Sequence, residues 1–175
     1  MVTMRLTIAE INRLDRGDFV ERLGGLFEGE PWMVAEAWAA RPFAAREVLE
    51  GALVAAVEGA SEERRVTLLR AHPDLVGRAA LAGTLTPEST GEQVAAGLDP
   101  ERLGCDEIAR FDGLNRAYRE RFGFPFVICA REHRKERILD GFETRLKNSR
   151  EQEIATAIGE VARICHYRLV DLVEE

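Results

Sequence analysis

His72 is the residue of this chain best suited to moving a proton. It ends an apolar, helix-patterned run and is followed at once by a proline, in Ala71-His72-Pro73-Asp74-Leu75. Proline stops a helix at that point, and an imidazolium at a helix C-terminus is favoured by the helix dipole. Further on, Ser89-Thr90-Gly91-Glu92-Gln93 supplies a hydroxyl, a carboxylate and a carboxamide. At helical spacing Ser89 shares a face with Glu92 and Gln93. Such a set suits general acid–base chemistry on a polar small molecule. A plainer reading stays open at this point. A C-terminal histidine can simply cap carbonyls, and Ser89-x-x-Glu92 is also the pattern of a capping box.

The other reactive side chains say less. His133 sits among Arg131, Glu132, Arg134, Lys135 and Glu136, as on a solvated helix face, and His166 lies between Cys165 and Tyr167 on the last helix. The three histidines carry no metal-ligand spacing, so no metal site is expected. Cys105, Cys129 and Cys165 are odd in number, far apart and without a CxxC. They read as small core residues in a reducing, cytoplasmic setting rather than a disulfide framework. GxSxG, P-loop and GxGxxG patterns are missing, which argues against a serine hydrolase, a P-loop enzyme and a Rossmann dehydrogenase.

Composition narrows the class. At 175 residues the chain is long enough for one domain, 1–175, with a real core. A net charge of −7 with dispersed cations and few aromatics gives no footprint for nucleic acid. No stretch approaches the ~20 apolar residues of a membrane span, and Met1 to Leu14 lacks the apolar run of a signal peptide.

The elements that must hold these residues are helical. Thr7-Ile8-Ala9-Glu10 is a capping box. Phe19, Val20, Leu23, Leu26 and Phe27 form a stripe, Pro31 opens a helix with Trp32 and Trp38, and Arg41-Pro42 forces a bend. Val48 to Val57 give another helix, and Ser61 caps the one that runs into His72. Residues 76–88 read as irregular, and Ser89 as the cap of a short helix reaching about Gly97. A helix is expected from Glu107 to Phe122. Gly123 to Ile128 is the compact β-prone run, expected as a buried extended segment because a lone strand has no partner. Ile138, Phe142 and Leu146 mark the next helix, and Ser149-x-x-Gln152 caps the last. The fold class expected is all-α, a single compact multi-helix domain.

Taken together, three motifs carry a resemblance. Leu69-Arg70-Ala71-His72-Pro73-Asp74-Leu75, then Ser89-x-x-Glu92-Gln93-x-x-Ala96-Gly97-Leu98, then Phe122-Gly123-Phe124-Pro125-Phe126-Val127 resemble the OHCU (2-oxo-4-hydroxy-4-carboxy-5-ureidoimidazoline) decarboxylase family. Pro31-Trp32, Arg41-Pro42-Phe43, Ile128-Cys129-Ala130-Arg131-Glu132 and Arg168-Leu169 extend it over nearly the whole chain, in order.

The resemblance implies an all-helical enzyme of urate breakdown, without cofactor and homodimeric, that turns a ureide substrate into (S)-allantoin and carbon dioxide. It implies His72 and Glu92 as the catalytic pair, and Pro73, Ser89, Gln93, Phe126, Ile128 and Arg168 as substrate contacts, with Arg163 the weaker match for the arginine. Three other readings are weighed against it. His72-Pro73-Asp74 superficially resembles the HPD of J-domain co-chaperones, but Leu75-Val76-Gly77 replaces the lysine-rich continuation. A ureide-binding protein without catalysis and a ring-opening ureide hydrolase are the others.

Overall fold

The computed structural model describes residues 5–174. Among these residues there is no strand beyond an isolated bridge from Leu6 to Val173, and the chain is all-α. It resolves into two compact units, Met1–Leu68 with Val161–Glu175, and Leu69–Glu160.

The first unit contains α1 (Ile8–Arg13), α2 (Arg16–Leu23), α3 (Trp32–Ala37), α4 (Arg46–Glu58) and most of α5 (Glu62–Arg70). The later part of α10 (Arg150–Leu172) belongs to it too. The expected Thr7 capping box is formed, with Glu10 returning to the Thr7 N–H at 2.8 Å. Pro31 precedes α3, and Arg41 is extended before a cis Pro42. The Asn12 carboxamide then bonds the Phe43 amide and carbonyl, both at 2.8 Å, so a side chain satisfies backbone that no ladder serves. Phe19, Leu23, Met33, Leu49, Leu53 and Leu169 are wholly buried there, each worth roughly 1.5–3 kcal/mol of burial.

The second unit holds α6 (Arg78–Leu81), α7 (Pro87–Ala95), α8 (Cys105–Phe122), α9 (Lys135–Arg145) and the start of α10. Its core is aromatic. Tyr118 meets Phe126 edge-on at 5.3 Å, and Phe126 stacks on Phe142 at 3.8 Å. Residues 125–129 carry neither helix nor turn and run largely buried through this cluster, in line with the unpaired segment expected over 123–128. Ser149 and Gln152 cap α10 reciprocally, also as expected.

Two expectations about residues 76–97 are corrected. The stretch 76–88 is not wholly irregular, since Arg78–Leu81 makes one helical turn. Nor does Ser89 cap α7. The helix starts at Pro87, and Thr86 is its cap, accepting from the Ser89 N–H at 3.2 Å. A Thr-Pro pair, with proline's fixed φ at the first helical position, outcompetes a serine two residues later.

Candidate active site

The candidate residues His72, Ser89, Glu92 and Gln93 lie at the two ends of one stretch, 72–93. Leu69 closes α5 through the His72 N–H at 3.1 Å, and Pro73 prevents another turn. His72 is 7% exposed and Pro73 half-buried. The chain then turns through Val76, whose φ of +51° is costly for a β-branched residue. Gly77 follows where a Cβ would lie 2.5 Å from Asp74 Cβ. Strain of this kind persists only when its surroundings over-determine it, and here they do. Gln93 Oε1 accepts from the Val76 N–H at 3.0 Å, with its Nε2 3.5 Å from Asp74 O. Asn115 donates to Leu75 O at 2.8 Å, and Arg119 grips the Asp74 carboxylate at 2.9 Å. The loop carrying the histidine is therefore bolted to α7 and α8.

With Thr86 as the cap, Ser89, Glu92 and Gln93 sit inside α7, and all three are buried. The capping-box reading of Ser89 and Glu92 falls with that placement. A buried carboxylate within a helix has no capping duty to explain it. Arg131 Nε lies 3.8 Å from Glu92 Oε1, within ion-pair range. Beyond it, Cys129 carries a thiol pushed up to about 11 by burial, then by the charges of Glu132 and Glu160, with Glu92 also contributing. Glu92 thus belongs to a small charged neighbourhood at the end of the extended segment.

In that segment Phe126 is buried and Ile128 partly so. No described residue hydrogen-bonds the main chain of either. Val127 O instead accepts from Arg145 Nη1 at 2.7 Å, and the Cys129 N–H donates to Glu160 Oε2 at 2.8 Å. His72, Pro73, Ser89, Glu92, Gln93, Phe126 and Ile128 all belong to the second unit. Arg168 belongs to the first, where its guanidinium donates to Glu28 at 3.0 Å and to Gly25 O at 3.2 Å. Arg163 is exposed.

A groove of about 370 Å³ opens beside α7, lined by Leu81, Leu85, Thr90, Gln93, Val94 and Leu98 among others. Of the candidate residues only Gln93 borders it.

Several neighbours carried no site role in the sequence: Asn115, Arg119, Arg131, Arg145, Glu160 and Glu28. Asn115, Arg119, Arg145 and Glu160 lie on helices, Arg131 on a 3₁₀ turn and Glu28 in a bend, and in each case a distant partner reveals the pairing. Cys105 is exposed rather than a core residue, because it opens α8 at its first turn. His133 is half-buried between a 3₁₀ turn and α9 rather than on a solvated helix face. His166 is exposed and paired with Glu50 at 3.0 Å. Among the described residues no group of three or more His, Cys, Asp or Glu is arranged to hold a metal. No described helix is long and apolar enough to cross a membrane.

Known proteins resemble this chain over nearly its whole length. A protein of Amia calva named 2-oxo-4-hydroxy-4-carboxy-5-ureidoimidazoline decarboxylase is 41% identical across 97% of this chain and 95% of its own. The mouse protein of the same name is 40% identical across 96% and 93%. Among solved structures, an (S)-allantoin synthase superposes with a TM-score of 0.72 at 26% identity, covering 96% of this chain. This chain spans 54% of that one. An OHCU decarboxylase crystallised in the presence of (S)-allantoin shares the fold, with a TM-score of 0.65 at 19% identity, covering 81% of this chain and 89% of its own. The family profile described as OHCU decarboxylase matches residues 12–170, and on that footing the chain belongs to the OHCU decarboxylase family.

Proposed function

We propose that this chain is a carboxy-lyase of urate breakdown. It converts 2-oxo-4-hydroxy-4-carboxy-5-ureidoimidazoline to (S)-allantoin and carbon dioxide, with His72 and Glu92 as its acid–base pair. The observation that carries the assignment of roles is the burial of both groups in one compact unit, with the capping explanation of Glu92 removed.

The substrate makes its own electron sink. Its carboxylate sits on a ring carbon that also bears a hydroxyl and adjoins a C=N bond. When the bond to the carboxylate breaks, its electron pair forms a C=C bond to the neighbouring carbon, and the C=N pair moves onto nitrogen, which takes a proton. The hydroxyl then gives up its proton to become a carbonyl, and the neighbouring carbon is protonated on one face, fixing the (S) centre. No carbanion-stabilising cofactor is called for. The protein's tasks are to hold the ring so that the carboxylate leaves across its plane and to manage these three proton transfers.

His72, assisted by Glu92, relays the proton of the substrate hydroxyl. Its rigid loop suits this, since general acid–base catalysis needs the base within hydrogen-bond reach of a fixed proton. Ser89, Pro73 and the main chain at Phe126 and Ile128 form the walls, and the unpartnered amides there supply donors for ring oxygens. Gln93, with one lone pair and one N–H already committed to the loop, keeps one of each for a ureido group.

The test is to generate the substrate from urate in situ and follow allantoin by circular dichroism. Chiral product above the background rate is expected, and racemic product at background overturns the reading. His72→Ala and Glu92→Ala should each lower kcat by at least ~10²-fold with the helical spectrum intact; normal turnover by either removes it from the pair. For Arg168 the family resemblance is the support for a substrate contact. Arg168→Lys should raise KM more than it lowers kcat, and unchanged constants withdraw that contact.

The same resemblance supports a cytoplasmic homodimer. Sedimentation should give a species of twice the 19.6 kDa chain mass, and a boundary at the single mass would contradict it.

A further inference from the structure

The segment 124–129 has the composition of a strand and, among the described residues, no sheet to join, so its main-chain groups must be satisfied by something else. Two charged side chains do this. Arg145, from α9, donates through Nη1 to Val127 O at 2.7 Å, and Glu160, from α10, accepts the Cys129 N–H at 2.8 Å. In an extended chain the main-chain groups of residues 127 and 129 point to one side and those of 126 and 128 to the other. Arg145 and Glu160 therefore claim one side of the segment. The other side, Phe126 and Ile128, carries no hydrogen bond among the described residues.

The grip is itself braced. Arg145 Nε meets Glu153 Oε1 at 2.5 Å, Asn148 donates to Glu153 Oε2 at 2.9 Å, and the Tyr118 hydroxyl donates to the same carboxylate. Glu153 is wholly buried and Arg145 nearly so. The guanidinium also lies over the Phe126 ring, 4.3 Å from its centroid. A buried charge pair of this kind is a poor investment in stability alone, whereas charge-assisted bonds at fixed angles are well suited to setting a backbone's position.

We propose that Arg145, held by Glu153, and Glu160 are positioning residues for the reaction: together they take the place of a neighbouring strand and fix where the amides of Phe126 and Ile128 meet the substrate. The inference rests on the decarboxylase reading and on the wall assigned to that segment. Misplacing such groups by a fraction of an ångström costs rate without touching the catalytic pair.

Glu160 is the cleaner handle, since it is half-buried on a helix and alanine there keeps the helix. In the full chain, Glu160→Ala should lower kcat/KM by about tenfold, mostly through KM. The allantoin it forms should lose enantiomeric purity. Glu160→Gln, whose carbonyl oxygen can still accept from Cys129, should restore most of both. Arg145→Lys, which can serve Val127 or Glu153 but not both, should fall between. A lowered melting temperature with wild-type constants and wild-type enantiomeric purity in Glu160→Ala overturns the positioning role and leaves the decarboxylase reading standing. Wild-type protein without turnover overturns the decarboxylase reading instead. The positioning claim is then judged by amide exchange, where Glu160→Ala must accelerate Ile128 and Cys129 exchange selectively; unaltered exchange overturns it.

Discussion

At the scale of single residues, the candidate histidine stood out in the sequence because Pro73 marks where its helix must stop. The strain around it was not, since nothing in Leu75-Val76-Gly77 announces that a valine will be held at positive φ. That strain makes a prediction. Gly77→Ala places a methyl 2.5 Å from Asp74 Cβ, and Asp74 cannot yield while Arg119 holds it. Denaturant unfolding should show a loss of about 1–3 kcal/mol, together with reduced turnover as the His72 loop shifts. Wild-type values for both would mean that the loop is softer than its bonds suggest.

Cysteine chemistry separates along the same lines. Burial, then the charge of Glu50, pushes the Cys165 thiol up to about 12, and Cys129 stands at about 11. Both stay protonated and covered at about pH 8, where a thiolate is the reacting form, while Cys105 is exposed. Iodoacetamide on the folded chain should add one group, at Cys105, and three after denaturation. Two or more adducts on the native protein would contradict the burial.

At the scale of elements, most helices followed from apolar spacing and capping pairs, because those signals are local. The β-prone run 123–128 was recognised because the helical period of α8 breaks off at Gly123, whose φ of +81° ends that helix. What failed was the start of α7. Ser89-x-x-Glu92 mimics a cap, and the rival Thr86-Pro87 lies within three residues of it. Sequence alone does not rank two overlapping caps. The error mattered, because it left open whether Ser89 and Glu92 were structural.

The tie between α8 and α9 offers a pH test. Lys135 donates to Glu107, whose carboxyl is held below its ordinary value by that bond and by the Gly104 N–H at 3.0 Å. The Lys135 ammonium is raised in turn, chiefly by the same bond. A depressed carboxyl contributes stability that is fully present above its unfolded value of about 4.3. That contribution disappears as pH falls through the lower folded value. The lysine's part is present below its unfolded value of about 10.4 and is lost as pH climbs through the raised one. Glu107→Gln should therefore melt slightly below wild type near neutral pH, with the gap closing on acidification. A gap that is constant from neutral to strongly acid conditions would assign it to something other than this pair.

At the scale of the whole molecule, the all-α class was legible throughout, since apolar spacing at helical period runs from Phe19 to Leu169. The division into two compact units was not, because α5 and α10 run through it without a break in their pattern. The charged grip on residues 127 and 129 has a consequence for how the protein behaves in bulk. Phe124-Pro125-Phe126-Val127-Ile128-Cys129 is apolar, uncharged and β-prone, a composition that favours cross-β stacking but for its proline. Arg145 and Glu160 occupy the Val127 carbonyl and the Cys129 N–H, and Pro125 offers no donor, which leaves fewer free groups for cross-β pairing. In mild denaturant, Arg145→Ala should turn thioflavin-positive at lower protein concentration than wild type. Added salt should hasten it further by screening the mutual repulsion of chains that each carry −7. Side chains that stand in for a neighbouring strand would then limit pairing between copies of this chain with the same atoms that shape its interior.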